Sequence, residues 1–340
     1  MRTAPKASLA LVLALSSCRQ HGQEGAPRSA EVSSVVTTKE TTPRDGGAAT
    51  PEVAVTVDDL PVHGPPTPGL DRMAITERML SAFARHGLRS VYGFVNGKRV
   101  ADDPSSEAVL RRWREAGHPL GNHTYAHVNL HKLSLAEYFA DLERGEEILK
   151  KLEPDAGVWK MFRYPFLFEG ETNEKRDGVR QYLRDHGYTK AEVSIDADDW
   201  AFNRPFTRCT EQNDRASLAK LHEKFVEEHL EELRRMRELG QTLMHREVRQ
   251  VLLLHIGAAD ADAIDDLLTA YEKKGVQWID LRRALADEFY GLESGSPVRY
   301  GAAFPYRVAK ARAVKVEPPI FARDLEDELE RTCAAAPTDR

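Results

Sequence analysis

Val53-Ala54-Val55-Thr56-Val57-Asp58-Asp59 is a run of β-branched and small apolar residues that ends on two adjacent carboxylates. Such a run reads as a buried strand that stops at a polar mouth. Side chains alternate along a strand, so Asp58 and Asp59 are free to do different work, one holding a metal and the other handling a proton. Taken alone, the pair is better explained by a strand-end turn, where Asp is common. Residues further along the chain decide between these readings.

Working outward, strands and helices alternate. The pattern predicts strands over 53–57, 90–95, 161–163, 191–195, 251–255 and 276–280. It predicts helices over 75–86, 106–116, 134–152, 175–186 and 262–274. Gly87 and Gly117 suit helix C-caps. Ser134 followed by Glu137 fits a capping box. Repeated β-then-α favours a parallel α/β barrel over a doubly wound sheet. No glycine-rich phosphate loop follows the first strand, which weakens a dinucleotide-binding reading.

The chain has 340 residues, 41% hydrophobic, and a formal charge of -6. It is neither basic enough to suggest nucleic acid nor biased enough for disorder throughout. Arg2 and Lys6 precede the apolar run 9–15 and then Ser16-Ser17-Cys18, which describes an export signal too short to span a bilayer. Leu15-Ser16-Ser17-Cys18 resembles a bacterial lipobox, in which Cys18 is lipidated; a plain secretory signal is the alternative. The expected organisation is a signal peptide over 1–18, a flexible linker over 19–50, a catalytic domain over 51–292 and a wrapping extension over 293–340. An amphipathic helical insertion over about 203–249 is expected to pack outside the barrel, with a substrate lid as the alternative. In an oxidising compartment Cys209 and Cys333 either pair, tying the tail to the body, or remain free thiols.

His123-Thr124-Tyr125-Ala126-His127 places two imidazoles four residues apart, on one side of a helical turn if the segment is helical. With a strand-end Asp they make a three-ligand set that leaves a position open, as in a catalytic zinc site. At this point the chain resembles the polysaccharide deacetylases of the NodB-homology type, carbohydrate esterase family four. Thr56-Val57-Asp58-Asp59 is similar to the family's first motif and His123-Thr124-Tyr125-Ala126-His127 to its second. Arg163-Tyr164-Pro165-Phe166 resembles the third, Asp196-Ala197-Asp198-Asp199-Trp200 the fourth and Leu253-Leu254-His255 the fifth. The five occur in the family's order over about residues 52–290.

The resemblance implies a distorted (β/α)7–8 barrel and a role for each matched residue. Asp59, His123 and His127 would hold a divalent metal, zinc by default, with cobalt or nickel also suited to this ligand set. Asp58 would be the general base and Arg163 its orienting partner. The Phe166 amide would help polarise the acyl oxygen. His255 would be the general acid, its pKa tuned by Asp196, although a lone strand-end His is more often structural. Trp200 would form a hydrophobic wall and Leu253 would line the acetyl pocket. Leu60 stands where the family usually has Gly, so that Leu60–Gly64 is expected to make a bulkier rim, with His63 a candidate substrate contact or extra ligand.

The implied activity is metal-dependent N-deacetylation of a polysaccharide, peptidoglycan or chitin-like, by a lipoprotein of the bacterial cell envelope. Its partners would be the polysaccharide or oligosaccharide substrate and, through the lipid anchor, a membrane; the oligomeric state stays open. Two alternatives remain: hydrolysis of another amide or ester at the same site, and a catalytically silent glycan-binding lipoprotein.

Overall fold

β1 (Glu52–Leu60) is longer than expected and runs through both carboxylates. In the computed structural model its odd-numbered valines, Val53, Val55 and Val57, pack outward among the helices. Ala54 faces the other way and clusters with Phe94, Met161, Ala191 and Val251 inside the sheet. Burial on both faces is what a near-continuous apolar run requires. Residues 50–295, 301–316 and 323–334 are described; Cys18, the signal segment and all of the linker except Thr50 lie outside the described residues.

The elements follow in the order α1 (Arg72–Arg85), β2 (Tyr92–Val95), α2 (Gly97–Asp102), α3 (Glu107–Glu115), β3 (Leu120–Asn122), α4 (Leu135–Leu152), α5 (Ala156–Trp159) and β4 (Met161–Phe162). Next come α6 (Asn173–Asp185), β5 (Thr189–Lys190), α7 (Asn203–Glu211), α8 (Arg215–Met244), β6 (Gln250–His255), α9 (Ala258–Lys273), β7 (Gln277–Trp278), α10 (Leu281–Leu285), α11 (Phe304–Ala311) and α12 (Arg323–Arg331). The Ser134 capping box is formed: its hydroxyl accepts from Glu137 N, and the Glu137 carboxylate accepts from Ser134 N at 2.8 Å.

All strand pairings among the described residues are parallel, in the order β5-β4-β3-β2-β1-β6, with β7 against the start of β1. The expected strand over 191–195 is not regular. It crosses from one neighbour to another: Ala191 N donates to Phe162 O at 2.7 Å, whereas Ser194 N donates to Val251 O at 3.0 Å and Leu253 N to Ile195 O at 3.0 Å. That crossing rolls the sheet into a distorted α/β barrel. Leu281 and Ala284 of α10 close one end of its interior. The other end is the mouth to which β1, β3, β4 and β6 deliver their polar termini.

Leu60 is not part of a rim. It is fully buried, and it lies over Gly93 of β2. A Cβ on Gly93 would stand 2.5 Å from Leu60 Cδ2 and 2.9 Å from Trp113 Nε1, so the missing side chain on β2 makes room for the added one on β1.

α8 buries Leu221, Phe225, Leu233, Met236, Leu239 and Leu243 on one side. It packs on α7 and α9, so the inserted region forms part of the outer wall instead of a free lid. The C-terminal segment is bound tightly. Arg307 of α11 is only 5% exposed and pairs with Glu169 at 2.9 Å and with Glu192, while Phe304 N donates to Val193 O at 2.7 Å. Cys209 of α7 and Cys333 are joined by a disulfide, the paired alternative of the two left open by the sequence.

Candidate active site

Strict alternation would send Asp58 inward with Ala54, and Asp59 outward with the valines. The pairing with β2 slips between Val57 and Leu60, and Asp59 takes a left-handed φ of 63°. This irregularity turns Asp59 back to the mouth, as bulges beside active sites do. Both carboxylates then face one imidazole: His123 Nε2 lies 3.7 Å from Asp58 Oδ2 and 3.6 Å from Asp59 Oδ1.

The histidine pair does not sit on a helical turn. Residues 123–127 form a loop in which Thr124 and His127 are left-handed, with φ of 62° and 52°. Tertiary hydrogen bonds replace the helical ones. Asn122 Oδ1 accepts from Thr124 N at 2.8 Å, Asp141 O from Tyr125 N at 3.1 Å, and Asp141 Oδ2 from Ala126 N at 3.0 Å. The loop still brings both imidazoles to Asp59, with His127 Nε2 3.5 Å from Asp59 Oδ1.

Asp59, His123 and His127 thus offer one carboxylate oxygen and two ring nitrogens at a common point. Donors about 2.1 Å from a tetrahedral ion are about 3.4 Å apart, close to these separations. Asp59 Oδ1 is buried and, among the described residues, accepts no hydrogen bond. A carboxylate oxygen left in that state is costly unless a cation completes it. His123 Nδ1 donates to Arg163 O at 2.8 Å, which leaves the Nε2 lone pair aimed at Asp59. Burial pushes both imidazoles down to about 4, so they are neutral ligands at neutral pH. Burial works against the Asp59 carboxylate, but a hydrogen bond from His63 and the neighbouring imidazoles hold it well below the usual range. The residues present therefore fit a divalent cation.

Asp58 is 2% exposed, and Arg163 Nη1 donates to its two oxygens at 3.1 and 3.2 Å. Arg163 is itself held by Ala191 O at 2.7 Å and Thr56 Oγ1 at 3.1 Å. Burial pushes Asp58 up to about 6 while the Arg163 charge opposes it. His255 pairs in register with Asp58 across β1 and β6, which sets the two titratable groups side by side.

The carboxylate that engages His255 is Asp199, not Asp196. Asp199 Oδ1 accepts from His255 Nδ1 at 2.8 Å, and Oδ2 accepts from the His255 backbone N at 2.6 Å. Asp198 is left-handed at φ 52°, and the turn it starts, Asp199–Phe202, points the fully buried Asp199 at the end of β6. Asp196 instead accepts from Asp198 N at 3.3 Å. Burial opposes the imidazolium of His255, but the Asp199 charge and hydrogen bond, with Asp59 and Asp58, raise its pKa well above the ordinary value. The motif Asp196-x-x-Asp199 contains two carboxylates, so the residue was present in the sequence signal while its role was assigned to the wrong member.

The remaining expected residues line the mouth. Phe166 is left-handed at φ 57° and 48% exposed, its ring 4.3 Å from that of His127. Trp200 is 42% exposed, with its indole N–H on Asp198 Oδ1 at 3.0 Å, so it lies at the surface and is no core residue. Leu253 is buried among Val193 and Ala303, with Leu167 and Tyr306 beside it. Ala303 and Tyr306 belong to the C-terminal segment, which no motif had connected with the site.

Residues 45–191 match the family model for polysaccharide deacetylase. The chain is 31% identical over 157 residues to a chitin deacetylase of Colletotrichum lindemuthianum, covering 46% of this chain and 55% of that protein. It is 30% identical over 149 residues to a peptidoglycan-N-acetylglucosamine deacetylase of Bacillus cereus, covering 44% and 46%. The matches thus span about half the length of these curated relatives. Among solved structures it is similar to a family-four carbohydrate esterase pseudoenzyme of Bacillus anthracis, at 16% identity and a TM-score of 0.48, covering 71% of this chain and 67% of that one. Over the segment 45–191, this chain is similar to the polysaccharide deacetylase family.

Proposed function

We propose that this protein is a metal-dependent hydrolase that removes acetyl groups from N-acetylated sugars of a polysaccharide. The observation that carries the reading is the convergence of Asp59, His123 and His127 on the unpartnered Asp59 Oδ1, with Asp58 and His255 flanking it. The relatives named for chitin and peptidoglycan deacetylation support the substrate class.

A divalent cation held by Asp59, His123 and His127, zinc by default and cobalt or nickel as alternatives, would acidify a bound water and polarise the acyl oxygen. Asp58 takes the proton from the attacking water, held in place by Arg163. The Phe166 N–H assists at the developing oxyanion. Asp199 keeps a proton on His255, and His255 passes one to the leaving amine as acetate departs. Leu253 lines the acetyl side and Trp200 offers an exposed face for a sugar ring.

The N-terminal pattern supports an exported protein anchored through Cys18 in the bacterial envelope, and the Cys209–Cys333 disulfide suits an oxidising compartment. A second reading, hydrolysis of another amide or ester, is favoured by the way the C-terminal segment crowds the Leu253 side of the mouth. A panel of acetylated esters and non-sugar amides separates the two. The main test strips the purified protein with a chelator, restores zinc and measures acetate from N-acetylglucosamine oligomers. Release that depends on zinc is expected. No release from any such oligomer, with or without zinc, overturns the proposal.

A further inference from the structure

His63 lies outside all five motifs, yet it touches both halves of the site. We propose that His63 is a positioning residue for the metal ligand Asp59: its Nδ1–H occupies one carboxylate oxygen and so reserves the other for the cation. The inference rests on the metal-site reading of Asp59, His123 and His127.

His63 Nδ1 is 2.8 Å from Asp59 Oδ2. An ionised carboxylate can only accept, so Nδ1 carries the hydrogen. With Oδ2 engaged, Oδ1 alone is left free, facing His123 and His127 at 3.6 and 3.5 Å. The carboxylate is thereby held as a one-oxygen ligand in a fixed orientation. Outer groups of this kind orient ligands and tune their affinity for the metal.

The backbone shows why His63 can do this. Val62 N donates to Asp59 O at 2.8 Å, folding the segment back, and His63 N donates to Ile256 O at 3.1 Å, tying it to the end of β6. The ring then rests against that of His255, with centroids 4.8 Å apart. His63 is thus clamped between the residue that binds the cation and the residue that handles the proton.

Asp59, His63 and His255 also lie close enough together to be considered as ligands of a second ion. The 2.8 Å separation between His63 Nδ1 and Asp59 Oδ2 argues against it. It is a hydrogen-bond distance, shorter than the spacing of about 3.4 Å expected between donors on one tetrahedral ion.

The test measures zinc affinity, by competition with a chromophoric chelator, for the metal-stripped wild type, His63→Ala, His63→Gln and His63→Asn. Asn carries an amide N–H close to the position of Nδ1; Gln and Ala do not. The expected result is about a 10- to 100-fold loss of zinc affinity in His63→Ala and His63→Gln, recovered in large part by His63→Asn, with one zinc per chain throughout. Recovery of affinity in His63→Asn but not in His63→Gln is the readout that a merely structural role would not give. Equal affinity in wild type and His63→Gln overturns the proposal, as does an Asn variant no better than Ala. Two zinc ions per wild-type chain, with one lost in His63→Ala, overturns it in favour of direct ligation. Wild type that binds no zinc at all refutes the metal-site reading instead, so the two failures are distinct.

Discussion

Replacing Asp199 by Asn tests the acid role proposed for His255 and its partner, because the sequence pattern points to Asp196 and the geometry to Asp199. Asp199 is fully buried and uses both oxygens on His255, Oδ1 at 2.8 Å from Nδ1 and Oδ2 at 2.6 Å from the backbone N. Asparagine has one acceptor where Asp199 has two. The buried backbone N–H keeps that oxygen, because leaving it unpaired costs about 1–3 kcal/mol. The amide NH2 then faces Nδ1 and forces the ring to present a lone pair there. His255 becomes a neutral imidazole with its hydrogen on Nε2, a poor acid. The lost attraction between carboxylate and imidazolium, with charges about 4 Å apart in an effective dielectric near 20, is about 4 kcal/mol.

Acetate release followed across pH for Asp199→Asn and Asp196→Asn measures the consequence. A loss of about 4 kcal/mol corresponds to roughly 10³-fold in rate, inside the range general acids contribute. Turnover in Asp199→Asn is therefore expected to fall about 10²- to 10³-fold near neutral pH, with zinc affinity preserved. The sign of the pH effect comes from His255, whose pKa is raised mainly by Asp199 against burial. The acid works while protonated, so removing the raising charge moves the alkaline decline of activity to lower pH. The deficit should thus grow as pH rises. Asp196→Asn should cost less than about tenfold, since Asp196 makes no hydrogen bond to His255 among the described residues. An Asp199→Asn enzyme within tenfold of wild type, or an Asp196→Asn enzyme equally impaired, would refute the reasoning.

Arg163→Met leaves the buried Asp58 without its cation and should lower unfolding free energy by about 3–5 kcal/mol in denaturant titrations of the metal-free protein. Because Arg163 holds the Asp58 pKa down against burial, its loss should also move the acid decline of activity to higher pH in any folded fraction. Arg307→Met removes a buried cation from Glu169 and Glu192, but Glu169 keeps Lys190 at 2.8 Å and Arg180 at 2.7 Å, so the loss should be near about 3 kcal/mol. Burial opposes the Glu169 carboxylate, yet Arg307, Lys190 and Arg180 hold its pKa well below the ordinary value. That stabilisation is present above the unfolded pKa and lost as pH falls through the folded one, so the deficit of Arg307→Met, read by thermal melting, should shrink in acid. Cys209→Ser with Cys333→Ser opens a loop with a sequence separation of 124 and should cost about 2–5 kcal/mol, read by thermal melting without reductant.

Where a residue's neighbours in sequence are also its neighbours in energy, the sequence was legible. The valine run gave β1, and Ser134 with Glu137 gave the start of α4, because strand alternation and capping are local. The five motifs in order led to the deacetylase fold and to the residues gathered at the mouth. What stayed hidden depended on contacts across the chain. The 191–195 stretch looks like a strand but switches partners from Phe162 on β4 to Val251 on β6. Leu60 reads as an obstruction until Gly93 is seen opposite it. The insertion is legible as an amphipathic helix packed outside the barrel, but its spacing does not announce that His229 and Glu232 are buried beside the apolar residues of α8. Nothing in the spacing of Ala303 and Tyr306 announces that they pack beside Leu253.

The errors at the site share a cause. Of the ten non-glycine residues with positive φ among the described residues, Asp59, Thr124, His127, Phe166, Leu167 and Asp198 lie at the barrel mouth. Each left-handed residue costs about 1 kcal/mol or more, and local propensity would avoid it. At Asp59 the left-handed turn brings a second carboxylate to a face that already holds Asp58. At Thr124 and His127 it replaces a helical turn by a loop tied to Asp141, and at Asp198 it selects Asp199 over Asp196 as the partner of His255. The surrounding barrel stabilises these conformations through long-range hydrogen bonds such as Arg163 to Ala191 O and Asn96 Nδ2 to His123 O. Motif matching identifies which residues gather at the mouth. It is silent on which way each one turns, because strained backbone, set by partners far away in sequence, makes that choice.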